Sequence, residues 1–241
     1  MKFKILFNRT VPKDYGSPSE DNHKLSDTCI ALSDGASVAF NSQIWSKILT
    51  RQFVKDTFIN DDWILKAKKV FHRYHQIYHF KGNSIPWNVI ESYENGSYAT
   101  LLGLEITENN NIKIISIGDT IAVRIYKDKF VSSFPIDKFE DFDSYPFLIS
   151  TDISYNKYID KNFIAKYTTE WKCHSSTLIL LMTDALGYWF LSDKEKGLKK
   201  VQLLFKAKNQ EKAFKEFVFN ERKKGKMKLD DSTLIVVGFI K

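Results

Sequence analysis

The chain reads as an α+β fold, with two antiparallel β-sheets stacked face to face and helices on both outer sides. Three observations predict it. Short runs rich in Ile, Val, Thr and Tyr fill the middle of the chain and recur at residues 233–239. Helix-periodic stretches come in pairs on either side of that middle. Asn, Asp and Gly mark the junctions, and elements of this kind in this order bury one apolar face each in a layered sandwich.

The elements follow in order. Apolar residues alternate over residues 2–8, predicting a strand, and a polar loop spans 10–22. Residues 28–33 read as a buried strand ending at Asp34-Gly35. Residues 42–58 place Ile44, Trp45, Ile48, Leu49 and Phe53 on one helical face. Asp61-Asp62 then open a second helix, where their charge suits the helix dipole. Its His72, His75 and His79 stand at helical spacing, but without a Cys or acidic companion they suggest a half-exposed face rather than a zinc site. Residues 97–107, 111–117, 121–127 and 130–134 predict an antiparallel meander, with residues 144–171 ambiguous between a short helix and a strand. An apolar strand at 177–182 leads through Thr183-Asp184 into a helix to 191. A further helix spans 209–221, and residues 233–239 form the last strand.

Length and composition narrow the class. At 241 residues the chain suits one substantial domain, and no repeat or hinge divides it, so 1–241 is expected to be a single domain. With 43% hydrophobic and 27% charged residues it has the make-up of a globular protein, not a disordered tail. No apolar run approaches a membrane span, and Lys4 and Asn8 interrupt the first strand too early for a signal peptide, so a cytoplasmic protein is expected. Cys29 lies in an apolar run and Cys173 in a polar one; neither has a phosphate-cradling loop and following arginine, which sets thiol catalysis aside. The net charge of +7 favours acidic partners. Its late basic runs, 194–200 and 221–228, lack the interleaved aromatics of a nucleic-acid module and read as solvated helix ends. Nucleic acid and membrane are not expected partners.

Chemistry is carried by carboxylates. Asp34, Asp119 and Asp184 each follow a predicted strand, and Asp230 immediately precedes one. Each alone is ordinary turn chemistry. Together, at strand ends along one sheet edge, short rigid carboxylates can converge on a hard cation such as Mg²⁺ or Mn²⁺, which wants oxygen ligands.

At these residues the sequence resembles the protein phosphatase 2C family of metal-dependent serine/threonine phosphatases. The matching pieces are Ser19-Glu20-Asp21-Asn22, Ala31-Leu32-Ser33-Asp34-Gly35-Ala36-Ser37 and Gly96-Ser97-Tyr98-Ala99-Thr100. They continue with Ser116-Ile117-Gly118-Asp119-Thr120, Leu181-Met182-Thr183-Asp184-Ala185-Leu186 and Asp230-Asp231-Ser232-Thr233-Leu234-Ile235. Their order runs through nearly the whole chain, and the wording is most similar to a bacterial branch.

The resemblance implies a phosphatase 2C-like sandwich with two Mn²⁺ or Mg²⁺ ions and a position for a third, and hydrolysis of phosphoserine or phosphothreonine in proteins by an activated water. By position, Asp34 matches the carboxylate bridging both metals and the Gly35 carbonyl a further ligand. Asp184 and Asp230 match the ligands of the other metal, and these three aspartates form the catalytic set. Glu20 and Asp21 match the early acidic pair, Asp119 the site of a third ion, and Thr100 a core position behind the site. A phosphorylated protein is the implied substrate, and a serine/threonine kinase the implied opposing partner.

Two positions depart from the family. Ala36 stands where a histidine acid is often found, and Gly16 where a phosphate-binding arginine is usual, leaving Arg9 or Lys13 as substitutes. The competing reading is a pseudophosphatase that binds phosphoproteins without turnover, although the core aspartates Asp34, Asp184 and Asp230 are all present.

Overall fold

In the computed structural model, residues 1–14, 16–79, 87–107, 111–143 and 145–240 are described. One five-stranded sheet runs in the order β1 (Lys2–Val11), β12 (Ser232–Ile240), β11 (Thr177–Met182), β7 (Ile121–Tyr126) and β8 (Lys129–Phe134). The other runs β10 (Thr168–Lys172), β6 (Asn111–Ile117), β5 (Leu101–Ile106), β3 (Cys29–Ser33) and β2 (Asn22–Leu25). Every neighbouring pair is antiparallel. The expected pair of antiparallel sheets flanked by helices is what the chain adopts.

Alternation along each strand explains the layering. In β12, Leu234 and Val236 face a core shared with helices α5 (Asp184–Ser192), α6 (Lys194–Lys206) and α7 (Gln210–Lys223), while Ile235, Val237 and Phe239 face the other sheet. In β3, Ile30 and Leu32 join the inter-sheet core and Ala31 faces α1 (Ser42–Lys55) and α2 (Asp61–His79). Covered on both sides, these strands read as continuous apolar runs. Each fully buried Leu, Ile or Phe contributes about 1.5–3 kcal/mol to burial, so three such cores hold the stack firmly.

Several elements differ from the sequence expectation. The predicted meander is two hairpins in different sheets, β5–β6 in one and β7–β8 in the other. The chain changes sheet at Gly118, which adopts φ +110°, a conformation that an L side chain rarely takes. The strand expected at 97–107 is divided into β4 (Tyr98–Ala99), which pairs with β9 (Ile149–Ser150), and β5. The ambiguous stretch 144–171 holds the short helix α4 (Lys161–Lys166) as well as β9 and most of β10. Strand β2 and helix α3 (Trp87–Glu94) lack an apolar period long enough to announce them. The basic run 194–200 forms the first half of α6, with Lys196 and Lys199 exposed as a solvated helix end would have them, while Val201 and Leu204 beyond it are buried. His75 is buried against Phe71, with ring centroids 4.5 Å apart, and not half-exposed; the side chain of His79 lies outside the described residues. No helix among the described residues is long and apolar enough to cross a membrane.

Gly118→Ala tests the corner directly. An added Cβ would stand 2.6 Å from Thr100 Cγ2 and 2.7 Å from Thr100 Cβ, on a backbone already in the left-handed half of conformational space. The variant is expected to lose about 3 kcal/mol or more in urea denaturation, strain and overpacking acting together. A wild-type midpoint would mean that the corner relaxes freely.

Candidate metal centre

The strand registers bring the acidic residues to one end of the stack. Met182, the last residue of β11, pairs with Ile121 at the start of β7 and with Leu234 near the start of β12. Asp184, Asp119 and Asp230 are therefore at the same end of that sheet. In the other sheet Ser33, the last residue of β3, pairs with Asn22, and Leu101 pairs with Ile117. Asp34 and Asp21 consequently project from the matching end.

Hydroxyl groups join the two ends. Asp21 is buried, and its Oδ2 accepts hydrogen bonds from Thr183 Oγ1 at 3.0 Å and Thr233 Oγ1 at 2.7 Å, both on the opposite sheet. Its Oδ1 is buried with no hydrogen-bond partner among the described residues. Behind Asp34, the backbone N–H donates to Thr100 Oγ1 at 2.9 Å, and that hydroxyl pairs with Thr120 Oγ1 at 2.7 Å. Thr100 is thus a buried strut, as its sequence position implies. The buried Gly35 follows, and a Cβ there would meet the backbone of Ser42 at 2.8 Å, so only glycine fits.

Asp184 opens α5, where a negative charge suits the helix N-terminus, and its Oδ1 accepts the Ala185 N–H at 2.5 Å. Asp230 Oδ1 accepts the Asp231 N–H at 2.9 Å. Glu20 is held differently. Its Oε2 accepts from Lys13 Nζ at 2.8 Å and Ser37 Oγ at 2.6 Å, and its Oε1 from Ser42 Oγ at 3.1 Å.

Electrostatics follow from this crowding. Burial pushes the Asp34 carboxyl well above the usual carboxylate range, and Asp21, Asp184, Asp119 and Asp230 each push it further. Asp184 rises to about 7, chiefly by burial, with Asp119 and Asp230 adding repulsion. Burial also raises Asp21, Asp119 and Asp230, each with help from a neighbouring carboxylate. Such a cluster is short of positive charge.

The donor set suits a hard divalent cation, being all oxygen, and the unpartnered Asp21 Oδ1 is an acceptor in want of a cation or donor. As the side chains lie, however, no group of three or more His, Cys, Asp or Glu among the described residues closes around one point in a way that could hold a metal. The residues fit in chemistry and in location, and closure would need side-chain rotation.

The sequence pattern does not single out Asp231. Its Oδ1 accepts the Lys13 N–H at 2.7 Å, and its Oδ2 accepts Ser19 Oγ at 2.9 Å and the Glu20 N–H at 2.5 Å, clipping the loop before β2 to the start of β12. Arg222 reinforces the clip by donating to the carbonyls of Val11, Pro12 and Asp230. A signal exists for Thr183, Thr233 and Asp231: polar residues abutting long apolar runs are buried, and buried polar groups need partners.

No family model matches the chain, and no curated protein matches it in sequence. Solved structures do match over its length. The Mycobacterium tuberculosis serine/threonine phosphatase PstP/Ppp aligns with TM-score 0.60 at 12% identity, covering 100% of both chains. The catalytic domain of PstP in complex with two manganese ions gives 0.62 at 12% identity, covering 100% of this chain and 99% of that one. The photosystem II phosphatase PBCP gives 0.61 at 16% identity, covering 99% of each. At these identities the likeness establishes a shared fold, that of serine/threonine phosphatases of the PPM type.

Proposed function

We propose that residues 1–241 form a single catalytic domain of the protein phosphatase 2C family, which hydrolyses phosphoserine and phosphothreonine in proteins with Mn²⁺ or Mg²⁺. One observation carries the reading: Asp21, Asp34, Asp119, Asp184 and Asp230, far apart in sequence, repel one another at one end of the stacked sheets. Mutual repulsion among acids that are buried (Asp21) or half-buried (the other four) costs stability, and a site that accepts the cost is characteristic of function.

In this reading Asp34, the Gly35 carbonyl, Asp184 and Asp230 hold two cations, Glu20 and Asp21 support them, and Asp119 with Asp184 offers a third position. Bound cations supply a Lewis acid and lower the pKa of water toward neutrality. The chain's own part is orientation. Thr183 and Thr233 occupy Asp21 Oδ2 and leave Oδ1 available, while Thr100 fixes the backbone at Asp34. Rigid anchors of this kind keep reorganisation small when charge develops on the phosphoryl group. The substrate is a phosphorylated protein, the kinase that made it is the opposing activity, and the cytoplasm is the compartment where the two meet.

The test is hydrolysis of p-nitrophenyl phosphate and a phosphothreonine peptide by metal-stripped protein, with and without Mn²⁺. Turnover is expected only with the metal. A second reading, a phosphoprotein-binding module without turnover, draws on the acidic side chains that do not close on a common point. Phosphopeptide binding with no hydrolysis at saturating Mn²⁺ would establish that reading instead.

A further inference from the structure

We propose that the hairpin of α6 and α7 is a cationic docking face for acidic sequence flanking the phosphorylated residue of a protein substrate. The inference rests on the phosphatase reading and says which phosphoproteins the site prefers. Residues 194–200 and 221–228 hold nine Lys or Arg against two Glu, a net charge of +7. Of the chain's 36 basic and 29 acidic residues, 27 of each sign remain elsewhere, so the whole excess of +7 sits in these two short runs.

The runs are separate in sequence, and the fold makes them neighbours. Lys200 Nζ of α6 lies 5.1 Å from the centre of the Phe217 ring of α7, and the charge of Lys196 acts on Glu221. Val201 and Leu204 of one helix and Phe214, Phe217 and Val218 of the other are buried in the core against the first sheet, which turns the lysines outward. Lys196, Lys199, Lys223, Lys224, Lys226 and Lys228 are exposed. Of these six, only Lys224 has a carboxylate partner among the described residues, Glu221 at 2.9 Å. The guanidinium of Arg222 is committed to backbone carbonyls and takes no part.

The position of this face selects its partner. Its last lysine, Lys228, stands just before Leu229-Asp230 and lies over the Tyr188 ring of α5, 5.2 Å from its centroid. The positive charge of Lys228 acts on both Asp184 and Asp119. The cationic face therefore runs up to the acidic end of the stack. A polypeptide whose phosphorylated residue enters that end carries its neighbours on one side across these lysines, where Asp or Glu would meet unpaired ammonium groups. One exposed ion pair contributes little, but a field of several draws an acidic chain in from a distance. An anionic bilayer or a nucleic acid would also meet this charge; continuity with the acidic centre favours the substrate.

The experiment uses the whole chain with Mn²⁺ and three phosphothreonine peptides of equal length, with acidic residues before the phosphothreonine, after it, or on neither side. A face variant carries Lys196→Gln, Lys199→Gln, Lys223→Gln and Lys226→Gln. A control variant loses equal charge on α1 and α2 through Lys47→Gln, Lys55→Gln, Lys66→Gln and Lys69→Gln, all exposed. Gln is as good a helix former as Lys, and the ratio of kcat/KM between peptides is taken within one protein, so any general damage cancels. Wild type and control variant are expected to prefer one acidic peptide over the neutral one by about tenfold or more, through KM, and less so as salt rises. In the face variant the preference should fall below about threefold. Equal kcat/KM on all three peptides in wild type, or a preference that survives in the face variant or falls as far in the control, overturns the proposal while the phosphatase reading stands. Binding of wild type but not the face variant to phosphatidylserine vesicles or to RNA, without peptide preference, assigns the face to a membrane or a nucleic acid and also overturns it. A wild type that hydrolyses neither p-nitrophenyl phosphate nor any peptide with Mn²⁺ overturns both.

Discussion

Asp34→Asn is expected to lower Mn²⁺-dependent hydrolysis by about a thousandfold or more, the upper end of what removing one electrostatic group from a preorganised site costs. The substitution is nearly isosteric and leaves the Asp34 backbone bond to Thr100 in place, so the local geometry survives. What disappears is one negative charge amid Asp21, Asp184, Asp119 and Asp230. The same loss relieves repulsion, so the metal-free variant should melt at a higher temperature than wild type. Activity and stability move in opposite directions, which a merely misfolded protein cannot imitate. Near-normal turnover in Asp34→Asn would remove this residue from the chemistry.

The second large effect is a pH dependence of the metal-free protein. Asp184 titrates near 7 in the folded chain, against an ordinary value of 3.8. The folded state therefore binds more protons than the unfolded state between those values, and stability must fall as pH rises through that window. The contribution is on the order of a few kcal/mol, all of it present below pH 4 and lost above pH 7. Asp184→Asn lacks this term, so in EDTA its melting temperature should pull ahead of wild type progressively from pH 4 to pH 7. Excess Mn²⁺ should narrow the gap by stabilising the ionised wild-type cluster, since a ligand that binds only the native state raises its stability. Melting curves of the two proteins that stay parallel across this range would show that Asp184 is not held protonated by its surroundings.

Much of the architecture is legible in the amino-acid sequence alone. The strands at 28–33, 111–117, 177–182 and 233–239 are marked by apolar runs that burial on both faces demands, and the aspartates stand at their ends. The division of the central strands between two sheets is not legible, because a glycine corner and a hairpin turn look alike in one dimension. Strand β2 hides in the polar Asn22-His23-Lys24-Leu25, since an edge strand need bury little. The Asp231 clip and the Thr183–Asp21–Thr233 contacts join residues more than a hundred and fifty positions apart, which no local pattern encodes. Local sequence can nominate a ligand. It cannot show which hydroxyl on another strand will orient it.

Strand β12 lies between β1 and β11, so the sheet has a gap in its middle until residues near 240 have left the ribosome. Until then β1 lacks the strand it pairs with, and neither Thr233 nor Asp231 is in place to receive Asp21 and the loop before it. A nascent chain can thus complete the helices and the other sheet yet have no functional centre. Closure over so long a separation is slow, and the acidic end of the stack stays unassembled until β12 has emerged and paired.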